Sequence, residues 1–132
     1  MRKIILDTNA YTKLLLKDRH VLEELTKADK IYLSSIVLGE LFAGFKGGSK
    51  EIDNKNLLEE FLSKPGVEIL LIGKETAEFF GDIKYYLEKN GNPIPANDIW
   101  IAACAQETGA IVITYDSHFS KIPGIRVWDI NY

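Results

Sequence analysis

Lys3-Ile4-Ile5-Leu6-Asp7-Thr8-Asn9 is the stretch whose reading decides the fold. Ile4, Ile5 and Leu6 form an apolar run too short for a free-standing helix. Its lack of alternation fits a strand buried on both faces, as in a parallel sheet. The run stops at a carboxylate. In an open α/β sheet, ligands bind beyond the carboxyl ends of the strands, so Asp7 stands where chemistry is expected.

Outward from that strand, apolar runs alternate with helical stripes. Asn9 is a candidate N-cap for a short helix over Ala10 to Leu16, and Val21, Leu22 and Leu25 form a second stripe. Ile31 to Leu33 reads as strand two, with Ser34 or Ser35 capping a helix from about Ile36 to Phe45. A helix over Lys50 to Leu62 follows, then the turn at Lys64-Pro65-Gly66 and strand three over Val67 to Ile72. Thr76 to Lys89 reads as a long helix. Asn97 reads as the cap of another, over Asp98 to Glu107. Ile111 to Ile113 and Ile125 to Trp128 complete five strands. Strands alternating with helices imply an α/β fold: three layers, α/β/α, around a mainly parallel five-stranded sheet.

At 132 residues, the chain is long enough for one domain with one sizeable core, spanning 1–132. With 46% hydrophobic and 27% charged residues it is globular rather than disordered. A single cysteine excludes an internal disulfide framework and fits a reducing, cytoplasmic setting. No apolar run is long enough to span a bilayer, so no membrane association is expected. The net charge of −3 argues against a general nucleic-acid binder, unless acids serve as ligands and bound cations offset it.

Four acids share one kind of place. Asp7 follows strand one and Asp116 follows strand four; Glu40 lies just over one turn into the helix after strand two, and Asp98 opens the helix before strand four. In a parallel sheet all four converge at the same edge. At ~5 Å and an effective dielectric of ~20, each like-charge pair costs roughly 3 kcal/mol, so protonation or a cation must relieve the crowding. With no Cys or His at ligand spacing, an all-oxygen set favours Mg²⁺ or Mn²⁺ over Zn²⁺. Such a centre suits phosphodiester hydrolysis by metal-activated water.

Leu6-Asp7-Thr8-Asn9, the run Ser34 to Leu41, Asn97-Asp98-Ile99-Trp100-Ile101-Ala102-Ala103 and Thr114-Tyr115-Asp116-Ser117-His118-Phe119 together resemble the PIN domain. More narrowly, the chain is similar over essentially its full length to the VapC-type toxins of toxin–antitoxin pairs. That resemblance implies a metal-dependent endoribonuclease acting on an RNA substrate, with Asp7, Glu40, Asp98 and Asp116 as ligands of Mg²⁺ or Mn²⁺. It places Thr114 at a supporting hydroxyl position and Asn9 at a polar position beside the first acid. It also implies a cognate antitoxin protein and a homodimer. Part of the surface bearing Tyr11, Leu14, Leu15 and Phe42 becomes a candidate antitoxin groove. The alternative is a catalytically silent PIN-like module that binds RNA or protein; the complete acid set speaks against it. A phosphorylated receiver domain would want an Asp after strand three, where the chain has Leu70-Leu71-Ile72-Gly73.

Among the remaining residues, Cys104 reads as a small buried hydrophobe, Trp100 and Trp128 as core, and His118, two residues past Asp116, as a solvated loop residue with phosphate binding as its alternative. Lys13, Lys17, Arg19, Lys46 and Lys50 flank the expected mouth as candidate phosphate contacts.

Overall fold

The computed structural model describes residues 1–128. Five strands form one sheet: β1 (Lys3–Leu6), β2 (Lys30–Ser34), β3 (Val67–Leu70), β4 (Ile111–Ile113) and β5 (Arg126–Val127), in the order β3-β2-β1-β4-β5. Every pairing is parallel, and β1 is central, with Ile4 opposite Ile31 on one side and Ile111 on the other. Ile4, Ile5 and Leu6 are wholly inaccessible to solvent, which accounts for the uninterrupted apolar run. At one edge, β3 is half exposed and charged, with Lys30 and Glu68 paired across it at 2.8 Å.

Six helices connect the strands: α1 (Thr8–Leu15), α2 (Arg19–Lys27), α3 (Ser35–Lys46), α4 (Glu51–Leu62), α5 (Lys74–Lys89) and α6 (Ala96–Thr108). The chain steps outward from β1 to β2 to β3, then returns across the sheet to β4. Right-handed crossovers therefore put α1 to α4 on one face and the packed pair α5 and α6 on the other. Helix α6 is apolar nearly all round, with Ile99 and Ile101 to Ala105 buried, as a helix embedded in the core must be. No described helix is long and apolar enough to cross a membrane.

Several boundaries differ from the sequence reading. Asp7, not Asn9, caps α1: its carboxylate accepts the Ala10 N–H at 2.8 Å. Helix α5 starts at Lys74 because Thr76 is its third residue, accepting the Gly73 N–H through its hydroxyl at 3.1 Å. Helix α6 starts at Ala96, since the extended Pro95 offers its carbonyl to the Asp98 and Ile99 N–H groups. Asn97 is thus inside the helix, and its side chain is free for other work. Strand β3 ends at Leu70 because its partner strand ends opposite it, at Ser34, where α3 begins. Strand β5 is two residues, Arg126–Val127, rather than four. Gly66 is fixed by its surroundings: it has φ +84°, and a Cβ there would meet the Asp29 carbonyl oxygen at 2.9 Å.

Candidate active site

The strand order reverses between β1 and β4, and at such a switch point the two outgoing loops part to leave a crevice. Asp7 leaves β1 on one side of it. Thr114, Tyr115 and Asp116 leave β4 on the other. The ladder runs one step beyond β1, with the Asp7 N–H donating to the Ile113 carbonyl at 3.3 Å. This sets Asp7 beside Thr114, whose hydroxyl donates to Asp7 Oδ2, while Oδ1 holds the cap of α1. Thr114 Oγ1 in turn accepts the Asp116 N–H at 2.9 Å, so one hydroxyl fixes both loops.

Asp7 is 4% exposed. Burial pushes its carboxyl up to about 6; the hydrogen bonds from Thr114 and the Ala10 N–H pull it down, and Asp98 and Asp116 add smaller upward pushes. Asp98 lies in the first turn of α6, near the positive end of that helix. Its carboxyl is also raised, first by burial, against a lowering contact with His118 and with further pushes from Asp116 and Glu40. Asp116 caps the 3-10 turn Ser117–Lys121, accepting the His118 N–H through Oδ1 at 2.9 Å. Glu40 is tied to the same place by hydrogen bonds from Thr8, next to Asp7, and from Asn97, next to Asp98.

Within that place the four differ. Asp98 and Asp116 offer oxygens that, with a ring nitrogen of His118, lie within 4.8 Å of one another, close enough for one cation. Asp7 and Glu40 stand beside this group with their oxygens already engaged. Glu40 accepts the Thr8 hydroxyl on Oε1 at 2.6 Å and the Asn97 amide on Oε2 at 3.2 Å. The donor set fits a hard divalent cation, since hydrogen-bonded carboxylates are pre-aimed oxygen ligands. Asn9 is exposed in the first turn of α1.

Sequence reasoning passed over two residues here and offered the third, His118, only as a phosphate contact. Thr8 and Asn97 orient Glu40, and each is the immediate sequence neighbour of an acid, Asp7 or Asp98, a signal that was available. His118 was read as a solvated loop residue with no ligand spacing. Its Nδ1 lies 3.1 Å from Asp116 Oδ1 and 3.4 Å from Asp98 Oδ2. The contact to Asp98 joins residues 20 apart in sequence, which local spacing does not reveal.

The other readings sort simply. Cys104 is buried, and burial pushes its thiol up to about 12, so it is inert. Trp100 stacks on Phe80 with centroids 3.9 Å apart. Trp128 donates its ring N–H to the Thr114 carbonyl and packs edge-on against Tyr115, bracing the β4 loop. Of the candidate phosphate contacts, Arg19 pairs with Glu23 at 3.8 Å and Lys46 with Glu51 at 3.8 Å, while Lys13 lies 5.8 Å from the Tyr115 ring centre.

A parallel α/β/α sheet with carboxylates converging at its switch-point crevice defines a class of proteins with an acidic, cation-ready centre. Comparison with known proteins narrows the class: the chain belongs to the PIN-domain family, whose model matches residues 4–125, and its relatives are VapC proteins. It is 34% identical over 131 residues to the ribonuclease VapC2 of Haemophilus influenzae, covering 96% of each chain. It is 32% identical to the tRNA(fMet)-specific endonuclease VapC of Salmonella typhimurium, covering 98% of each. The crystal structure of DNA-bound VapBC from Salmonella typhimurium superposes with a TM-score of 0.86 at 32% identity, covering 98% of both chains.

Proposed function

We propose that this chain is a divalent-metal-dependent endoribonuclease, the toxin of a toxin–antitoxin pair, working in the cytoplasm as one domain over residues 1–132. The observation that carries the reading is the convergence of Asp7, Glu40, Asp98 and Asp116 at the β1/β4 crevice, in a chain whose relatives are named ribonucleases. Asp98 and Asp116 are the direct ligands on this reading, with Asp7 and Glu40 completing the set or holding its waters. A divalent cation, Mg²⁺ or Mn²⁺, supplies water activation and neutralisation of developing phosphoryl charge when bound.

The chain's own groups do the rest. Asp7, ionised once its charge is offset, accepts a proton or orients water at the floor of the crevice. Thr114 holds that carboxylate in one rotamer. Thr8 and Asn97 hold Glu40 at the mouth, where the small neighbours Gly39, Ala43 and Gly44 leave room for a polynucleotide. No side-chain nucleophile is required. Purified protein should cleave a mixed RNA pool with Mg²⁺ or Mn²⁺, and EDTA should abolish cleavage reversibly. Cleavage that persists at full rate in EDTA, with contaminating nucleases excluded, would end the metal-dependent reading.

The antitoxin partner has a fitting surface. Between α1, α2 and α4 runs an apolar groove of about 270 Å³, lined by Tyr11, Leu14, Leu15, Leu22, Leu25, Leu57 and Phe61 and rimmed by Glu60 and Lys64. Phe42 does not belong to it: that ring lines a separate, charged cleft with Lys46, Glu51, Lys55 and Glu59. Similarity to a VapBC complex supports an amphipathic antitoxin segment as the groove's occupant. Leu22 and Leu57 are 39% and 45% exposed, so charging them leaves the core intact. The double variant Leu22→Asp, Leu57→Asp is expected to weaken antitoxin binding by at least about tenfold, the effect of losing roughly 1.4 kcal/mol. Its RNA cleavage should stay at the wild-type rate. Unchanged affinity in a titration of the purified pair would move the partner to another face. A homodimer completes the reading.

A further inference from the structure

The contacts of the His118 ring are longer than those of a tight, charge-assisted pair. Charge-assisted N–H···O contacts close to about 2.7–2.9 Å, whereas Nδ1 stands 3.1 Å from Asp116 and 3.4 Å from Asp98. One ring nitrogen carries at most one hydrogen and cannot satisfy two carboxylates at once. Asp116 Oδ1 also takes the His118 backbone N–H at 2.9 Å, which fixes that oxygen against the turn that carries the ring. The two separations from the ring nitrogen fall in the range of polyhedron edges, since ligands about 2.1 Å from one centre lie about 3.0–3.4 Å apart, and all three donor atoms lie within 4.8 Å of one another. The ring belongs to a rigid turn: Asp116 caps it, and the neighbouring Phe119 is fully buried. The side chain remains 41% exposed, so the nitrogen is reachable from the crevice.

We propose that His118 is a protein ligand, through Nδ1, of the cation held by Asp98 and Asp116, and that this nitrogen biases the site toward Mn²⁺ over Mg²⁺. The inference rests on the metal-dependent reading above and adds a ligand that reading does not contain. Its chemical basis is ligand type. Mg²⁺ prefers an all-oxygen shell and dehydrates reluctantly, whereas Mn²⁺, itself oxygen-preferring, is a transition ion that tolerates one imidazole better than Mg²⁺ does. Replacing one oxygen of the shell by nitrogen therefore costs Mg²⁺ more than it costs Mn²⁺.

The test is spectroscopic and needs no RNA. Mn²⁺ is added to the full-length protein, and pulsed EPR reads nitrogen coupling on the bound ion; ¹⁵N-histidine labelling identifies the nucleus as imidazole. Titration gives the Mn²⁺ and Mg²⁺ dissociation constants of wild type, His118→Ala, His118→Asn and Asp98→Asn. The expected result is histidine coupling in wild type and none in either His118 variant. Mn²⁺ affinity should fall at least about tenfold in His118→Ala, and Mg²⁺ affinity less than about threefold. His118→Asn, which substitutes an amide oxygen, should keep Mg²⁺ affinity and still lose the coupling. If Mn²⁺ binds and is lost in Asp98→Asn, yet shows no nitrogen coupling and no change in His118→Ala, the inference is overturned while the acidic site stands. If wild type binds no Mn²⁺, the metal-dependent reading falls and the inference with it.

Discussion

Asp98→Asn is expected to lower RNA cleavage by more than about 100-fold while the protein stays folded. Loss of groups that merely support a metal ligand already costs about 10–100-fold in metal affinity or activity, and loss of a ligand costs more. The substitution keeps the shape of the side chain and removes only its charge. Asp98 makes no cap contact, since the first turn of α6 is organised by the Pro95 carbonyl, so the substitution costs the helix only the carboxylate's interaction with its N-terminal dipole. Its side chain is only 20% exposed, and the charge within reach is the cluster of Asp116, Glu40 and His118. Asp53, exposed in the first turn of α4, is the matching control. Asp53→Asn should cleave at the wild-type rate, which separates the loss of this carboxylate from the loss of any carboxylate. Circular dichroism and a melting curve on each variant report the fold. Near wild-type cleavage by folded Asp98→Asn, with contaminating nuclease excluded, would remove Asp98 from the site and the two-acid core of the mechanism with it.

The sheet was legible because its strands announce themselves. Ile4-Ile5-Leu6 and Ile111-Val112-Ile113 are apolar on both faces, which a parallel strand under two helical layers requires. The grouping of the acids was legible for a related reason: Asp7, Asp98 and Asp116 stand next to element ends, which a parallel sheet sends to one edge, while Glu40 lies more than a turn into α3. Helix starts were less legible where capping did not follow the side-chain preference. Pro95 begins α6 through backbone geometry, which left Asn97 looking like a cap it is not, and α5 begins two residues before Thr76, whose hydroxyl reaches back to the Gly73 N–H. The contact of His118 to Asp98 was not legible, because it exists only once α6 and the β4 loop are packed together. The electrostatics were legible in sign and not in cause. Counting charges suggests that repulsion dominates, yet burial is the largest cause of the upward shift at both Asp7 and Asp98. Sequence gives the number of acids near an edge, while desolvation depends on what the neighbouring layers cover.

That cause leads to a measurable stability effect. The Asp7 carboxyl, at about 6 in the folded chain and 3.8 as its ordinary value, binds a proton more tightly folded than unfolded. A group raised in this direction contributes stability that is complete below the unfolded value and is lost as pH rises through the folded one. At pH 5 the contribution is roughly 1–2 kcal/mol, and by pH 8 it is gone. Asp98 is shifted in the same direction and adds to the trend. Asp18, lowered mainly by the Tyr115 hydroxyl, and Glu51, lowered mainly by its hydrogen bond with Lys55, have the opposite sign. Their contributions are lost only as pH falls below the ordinary carboxylate range, outside this window. Metal-free protein is therefore expected to melt higher at pH 5 than at pH 8 by about 4–8 °C. Asp7→Asn should remove most of this dependence. The substituted amide can still accept the Ala10 N–H and meet Thr114 without a buried charge, so at pH 8 in chelator the variant should melt above wild type, on the order of 5 °C. Saturating Mg²⁺ reverses the order: it stabilises wild type by mass action, about 2.7 kcal/mol at a hundredfold excess over the dissociation constant, and stabilises the variant less. Melting curves of both proteins at two pH values, with chelator and with Mg²⁺, give every comparison. If wild type melts equally at pH 5 and pH 8 without metal, and Asp7→Asn melts lower at pH 8, then Asp7 is not held against its own ionisation. A cation would then have no buried charge at Asp7 to relieve.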